Sequence, residues 1–208
     1  MINQYLKERW ITLASTYTSD EELINNLWRE IEISHSQKKR YYHNLTHLNY
    51  MFVKADEFKK KIDDYEALSF SIFYHDFVYN ARKSNNEKLS ADVASDRLTK
   101  LGVSKSTISK CGLQILATKA HECSTDSDLN YLLDFDLGIL GEDESLYKEY
   151  TQQVRQEYSI YPDFLYKPGR KKVLTHFLDL EYIYKTSDFI NTHEKQARHN
   201  LEWELNTL

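Results

Sequence analysis

The chain has 208 residues, 41% of them hydrophobic, with 16 tyrosines and 9 phenylalanines, enough for one sizeable, aromatic-rich core. Its net charge of −5 argues against a general nucleic-acid binder, which needs a basic surface. No apolar run approaches membrane-spanning length, the first residues lack the apolar core of a signal peptide, and Cys111 and Cys123 form neither a CxxC pair nor a disulfide framework, so a cytoplasmic protein is expected. Only 5 glycines and 2 prolines interrupt a chain rich in charged residues, which favours an all-α fold of long helices.

In chain order, Leu6, Trp10, Leu13 and Tyr17 step by three and four residues and predict a helix over about 2–17. Ser19-Asp20-Glu21-Glu22 reads as a capping box, opening a helix that turns Leu23, Ile24, Leu27, Trp28 and Ile31 inward. A basic loop, Lys38-Lys39-Arg40, leads to Tyr41-Tyr42-His43-Asn44-Leu45-Thr46-His47 and a helix expected over about 46–60. Asp63-Asp64 opens the next helix, which carries Ala67, Leu68, Phe70, Ile72 and Phe73 and ends near His75-Asp76. Further helices are expected over 87–101, closed by Gly102, then over 104–120, over 126–140 with a stop at Gly141, and over 142–158. Pro162 and Pro168 are expected to bracket an irregular segment, with a helix starting at Gly169-Arg170-Lys171-Lys172 and another over about 187–208. No repeat or domain boundary is visible, so a single domain is expected.

Four features pair metal-ligating residue types with apolar surroundings: His43-Asn44-Leu45-Thr46-His47, His75-Asp76, His121 and Asp134-Phe135-Asp136. A charged pair inside the apolar run Phe73–Val78 is costly unless compensated, and a cation is one compensation. Imidazole and carboxylate donors suit Zn, Mn, Fe or Mg rather than a soft thiolate site. Singly, each has an ordinary explanation: His47 as a satisfied interior histidine, Asp134 as a carboxylate near a helix start. The ordered set His, His-Asp, Asp is what carries weight.

That set resembles the HD-domain superfamily of metal-dependent phosphohydrolases, whose all-helical core gathers one His, an adjacent His-Asp and a distant Asp around a divalent ion. The resemblance implies an HD-like helical bundle with its core over about 35–180 and His47, His75, Asp76 and Asp136 as ligands of one or two divalent ions (Mn, Mg, Fe, Zn, Co or Ni). Tyr42-His43-Asn44-Leu45-Thr46-His47 also looks like the Tyr-His-Asn-x-x-His signature of the cyclic-nucleotide phosphodiesterases, which implies His43 as proton donor and, with Asp76, a catalytic residue. The likeness stops at Leu48-Asn49-Tyr50, so cyclic-nucleotide hydrolysis is not implied. The layout is most similar to a small, mostly bacterial group of HD phosphohydrolases. It shares His75-Asp76-Phe77-Val78-Tyr79, Asn86-Glu87-Lys88-Leu89-Ser90-Ala91, Ala117-Thr118-Lys119-Ala120-His121, Leu133-Asp134-Phe135-Asp136-Leu137 and Gly169-Arg170.

Asp134 and Asp136 compete for the last ligand position, because residues two apart on a helix point about 200° apart. The resemblance favours Asp136, with Asp134 capping a helix or supporting the site. His43 lies one turn from His47 if that turn is helical. His121 reads equally as a dipole-complementing residue at a helix C-terminus or as a site residue. Glu87 reads as part of the capping box Ser84-Asn85-Asn86-Glu87 or as support for a second ion. Lys119, Arg155, Arg170 and Tyr79 are candidates for substrate phosphate and pocket lining, with solvated charge as the plain alternative for the three cations. The expected partner is a small phosphorylated metabolite, a nucleotide first among them, with no nucleic acid or membrane; a homodimer is compatible with the sequence. Two other readings use the same residues: an HD-type di-iron oxygenase, which needs further histidines, and a non-catalytic nucleotide or metal sensor.

Overall fold

The computed structural model describes residues 2–208, and no strand occurs among them. The helices are α1 (Ile2–Ala14), α2 (Glu21–His35), α3 (Leu45–Glu57), α4 (Tyr65–Tyr74), α5 (Asn86–Leu101), α6 (Lys105–Ala117), α7 (Ser127–Asp136), α8 (Glu144–Glu157), α9 (Asp163–Asp179) and α10 (Ser187–Thr207), with short 3₁₀ turns at Lys59–Lys61 and Gly138–Gly141. Within the described residues, no helix is long and apolar enough to cross a membrane. The chain divides into two compact units, Met1–Leu132 and Leu133–Leu208, and the division falls inside α7 rather than in a linker.

The first unit is built on α4. Every residue from Ala67 to Tyr74 is buried, so this helix has no polar face and needs neighbours all round. It packs against α3, α5 and α6. Trp10 of α1 meets Phe70, Phe73 and Tyr74 edge to face, while its indole N–H donates to the Ile24 carbonyl of α2 at 3.0 Å. Phe73 is also met by Phe52 of α3 and Trp28 of α2. Asp64 caps α4 by accepting from Ala67 N–H, and buried Asp128 accepts from the amides of Asp63 and Asp64 and from Lys110. These bonds fix where α4 begins and therefore where its other end, at His75, must lie.

The second unit is built on α10, which packs against α8, α9 and the Gly138–Gly141 turn. Gly141 is required there: a Cβ would stand 2.6 Å from His193 Cβ and 2.9 Å from its carbonyl oxygen. Asn200 donates to the carbonyls of Leu140 and Glu142, both at 2.8 Å.

Several sequence expectations change. The first helix ends at Ala14, not near Tyr17. The third ends at Glu57 and tightens into a 3₁₀ turn, and the seventh ends at Asp136 before a second such turn. The sixth ends at Ala117, so His121 lies beyond it, in a turn with a left-handed φ of 50°. The segment between the prolines is helical: Pro162 precedes the first residue of α9 and Pro168 lies inside it. A proline there removes only the bond to the Phe164 carbonyl, and Phe164 and Leu165 lie exposed, where water can replace it.

Candidate metal centre

Two ends of helices supply the site in the first unit. His47 sits in the first turn of α3, whose N-cap Asn44 accepts from Thr46 N–H at 2.7 Å. His75 is the C-cap of α4, and its amide still donates to Ser71 O at 2.8 Å, so the helix fixes its position. Its Nδ1 lies 2.9 Å from the Ile72 carbonyl. A carbonyl only accepts, which puts the proton on Nδ1 and the lone pair on Nε2. That Nε2 is 3.2 Å from His47 Nε2 and 3.2 Å from Asp76 Oδ2. The lone pair of His75 Nε2 thus meets a carboxylate oxygen and a second imidazole nitrogen where both rings are buried.

Asp136, the last residue of α7, belongs to the second unit. Metal–nitrogen bonds are about 2.0–2.1 Å, so two imidazole nitrogens on one tetrahedral ion stand about 3.3 Å apart, close to the 3.2 Å observed. Two neutral imidazoles with the carboxylate of Asp76 carry a charge of −1, which attracts a divalent cation. The residues present therefore fit such an ion.

Asp134 is fully buried and saturated. It accepts from Lys185 N–H at 2.7 Å and from Thr186 N–H and Oγ1–H at 2.8 and 2.7 Å, so it anchors Thr186, the N-cap of α10. Burial outweighs those bonds and raises its pKa to about 6.

His43 precedes the N-cap of α3, so the turn between it and His47 is not helical. The rings are still neighbours, with centroids 5.9 Å apart, and His43 stacks on Tyr79 at 4.3 Å. The capping box at Ser84–Glu87 does not form: Asn85 holds the N-cap position without a side-chain cap bond, and one Glu87 oxygen is buried without a hydrogen-bond partner. His121 does not enter the metal-holding group among the described residues.

The candidate phosphate binders have other engagements. Lys119 is exposed and donates to Ser84 O at 2.6 Å. Arg155 holds Asp163 and the carbonyls of Tyr158 and Tyr161. Arg170, its side chain 9% exposed, is not a solvated cation: Nε and Nη2 fork onto Glu204 at 2.7 and 2.8 Å.

Sequence reasoning passed over two residues beside the His-Asp pair. Arg40, read as part of a basic loop, is buried and donates to the carbonyls of Asp76, Phe77 and His43. His35 is buried at the end of α2, its Nδ1 is 3.0 Å from Ile31 O, and burial followed by the nearby Arg40 charge lowers its pKa to about 3. A signal for His35 existed, because it continues the inward stripe of Ile24, Leu27, Trp28 and Ile31. Nothing in the spacing marks Arg40.

Compared with protein-family models, with curated proteins and with solved structures, the chain matches none.

Proposed function

We propose that the protein is a divalent-metal-dependent phosphohydrolase acting on a small phosphorylated metabolite, a nucleotide being the first candidate. The observation that carries the reading is the convergence of His47 Nε2 and Asp76 Oδ2 on the lone pair of His75 Nε2 at 3.2 Å. Lone pairs repel unless a positive charge lies among them. Two imidazole donors beside a carboxylate favour Mn, Fe, Co, Ni or Zn over Mg, which prefers oxygen.

When bound, the ion supplies Lewis acidity, which lowers the pKa of water toward neutrality and neutralises phosphoryl charge. The chain's own residues do the rest. His47 and His75 hold the ion with Asp76. His43, beside His47 and stacked on Tyr79, donates a proton to the departing oxygen. Tyr79 limits the rotation of that imidazole and shields one of its faces from water.

The test is phosphate release from a panel of phosphate esters, nucleotides and pyrophosphates with Mn, Mg, Co and Ni, with Asp76→Ala as control. Metal-dependent release that vanishes in the variant is expected. Release that persists in Asp76→Ala sinks the assignment of the site. Metal binding without turnover on any class would leave a sensor instead.

A further inference from the structure

His47 and His75 are held by their helices, but the two other groups of the site in the first unit are not. His43 lies before the N-cap of α3, and Asp76 follows the C-cap of α4. Helical hydrogen bonding fixes neither of them. One side chain spans both segments. Arg40 Nη1 donates to Asp76 O at 2.5 Å and to His43 O at 3.2 Å, while Nη2 donates to Phe77 O at 2.8 Å and to Ser34 Oγ at 3.2 Å. Ser34 Oγ–H in turn donates to Phe77 O. The guanidinium carbon stands 5.5 Å from the centroid of Tyr79, the ring on which His43 stacks.

We propose that Arg40 is the positioning residue of the site: it sets the carboxylate of Asp76 and the imidazole of His43 against the helix-borne histidines. The inference rests on the metal-site reading above. Arg40 reaches both residues through their backbone carbonyls. A planar fork can serve these acceptors together, whereas an ammonium on the same stem is a point donor. Groups that hold ligands from outside the coordination sphere change metal affinity by about 10–100-fold when altered.

The experiment is a Co²⁺ titration of the full chain followed by visible absorption, which reads both affinity and ligand geometry. Arg40→Lys is expected to bind Co²⁺ about 10-fold more weakly and with an altered spectrum. Ser34→Ala, which removes one anchor, is expected to shift both in the same direction by about 2–3-fold in affinity, below the range for a whole outer-shell group. Gly102→Ala is the stability control. It forces a side chain onto a φ of +81° far along the chain and is expected to lower the melting temperature while leaving the spectrum unchanged. If the wild type binds Co²⁺ and Arg40→Lys binds it with the same affinity and spectrum, the Arg40 inference is overturned and the metal reading stands. If Arg40→Lys does not fold, Ser34→Ala decides, and an unchanged spectrum and affinity there overturn the inference. If the wild type takes up no Co²⁺, the metal reading fails and this inference falls with it.

Discussion

Each of the two units buries a cluster of ionisable groups, and the clusters are made differently. In the second unit Glu204 accepts both arms of Arg170 and the Tyr147 hydroxyl, the latter at 2.5 Å, and Asp134 accepts three donors from Lys185 and Thr186. Acceptors meet donors throughout. In the first unit the lone pair of His75 Nε2 faces the Asp76 carboxylate oxygen at 3.2 Å, with His47 Nε2 also 3.2 Å away. A network whose donors and acceptors match holds a fold together, whereas one whose acceptors converge is shaped for a cation. Burial and charge alone do not separate the two kinds; the direction of the hydrogen bonds does.

The largest test of that contrast is His75→Ala. It removes the nitrogen on which the other two groups converge while leaving the helical amide bond to Ser71. Metal affinity should fall by more than about 100-fold, the upper end of what outer-shell changes cost, with any phosphate release reduced to background and far-UV circular dichroism unchanged. Isothermal titration with Mn²⁺ or Co²⁺ checks it, and wild-type affinity in the variant would remove the contrast. His43→Asn comes next. It should bind metal normally yet lose about 10²–10⁴-fold in kcat, the usual weight of a positioned proton donor. A change confined to KM would instead make His43 a binding residue.

How much of this was legible beforehand follows from the range of each interaction. Several helix starts were readable to within a residue because capping is local: Asp20 (one residue after the Ser19 that the capping box put forward), Asp64 and Ser104 each accept from an amide three residues on, whereas Asn85 opens α5 without a side-chain cap. The burial of α4 was readable because an apolar run leaves no alternative. The divergence of Asp134 and Asp136 was readable from the angle between neighbours on a helix, but the donors that Asp134 meets on Lys185 and Thr186 were not. Pro168 misled, because the loss of one bond at an exposed turn does not stop a helix that packs through Tyr166 and Leu174. Arg170 and Arg40 were unreadable for a shared reason. Their acceptors lie 34 and 36 residues away, and only the folded chain decides whether a basic side chain meets water or a carbonyl.

Breaking the matched network should have a different signature from breaking the convergent one. Glu204→Ala leaves the Arg170 guanidinium buried beside the Tyr147 hydroxyl, and removal of one partner of a buried pair costs about 3–5 kcal/mol. Urea denaturation should show that loss with the denaturant slope unchanged. Replacing both partners, as Arg170→Met with Glu204→Leu, should recover most of it, because apolar substitutes need no partner. A loss of metal affinity in the folded Glu204→Ala protein would show that the second network also serves the site.

The smallest effect concerns pH, where the two units are expected to pull in opposite directions. His35 has an ordinary pKa of 6.5 when unfolded and about 3 when folded, chiefly through burial. Above pH 6.5 it is neutral in both states and its contribution is fully present. As the pH falls below 6.5, the unfolded chain takes up a proton that the folded chain refuses, and stability is lost, by about 2 kcal/mol between pH 7 and 5. Asp134 runs the other way. Its folded pKa is raised to about 6 from 3.8, so its contribution is present at acid pH and lost as the pH rises through 6. The wild-type curve mixes both slopes, so the informative quantity is a difference. His35→Gln keeps polar atoms at the site but cannot titrate, and subtracting its denaturation curves from the wild type's should leave a loss that appears below pH 6.5 and grows toward pH 5. Parallel curves would mean that His35 is as easily protonated in the folded chain as in water, and that the neighbourhood of Arg40 is open rather than sealed.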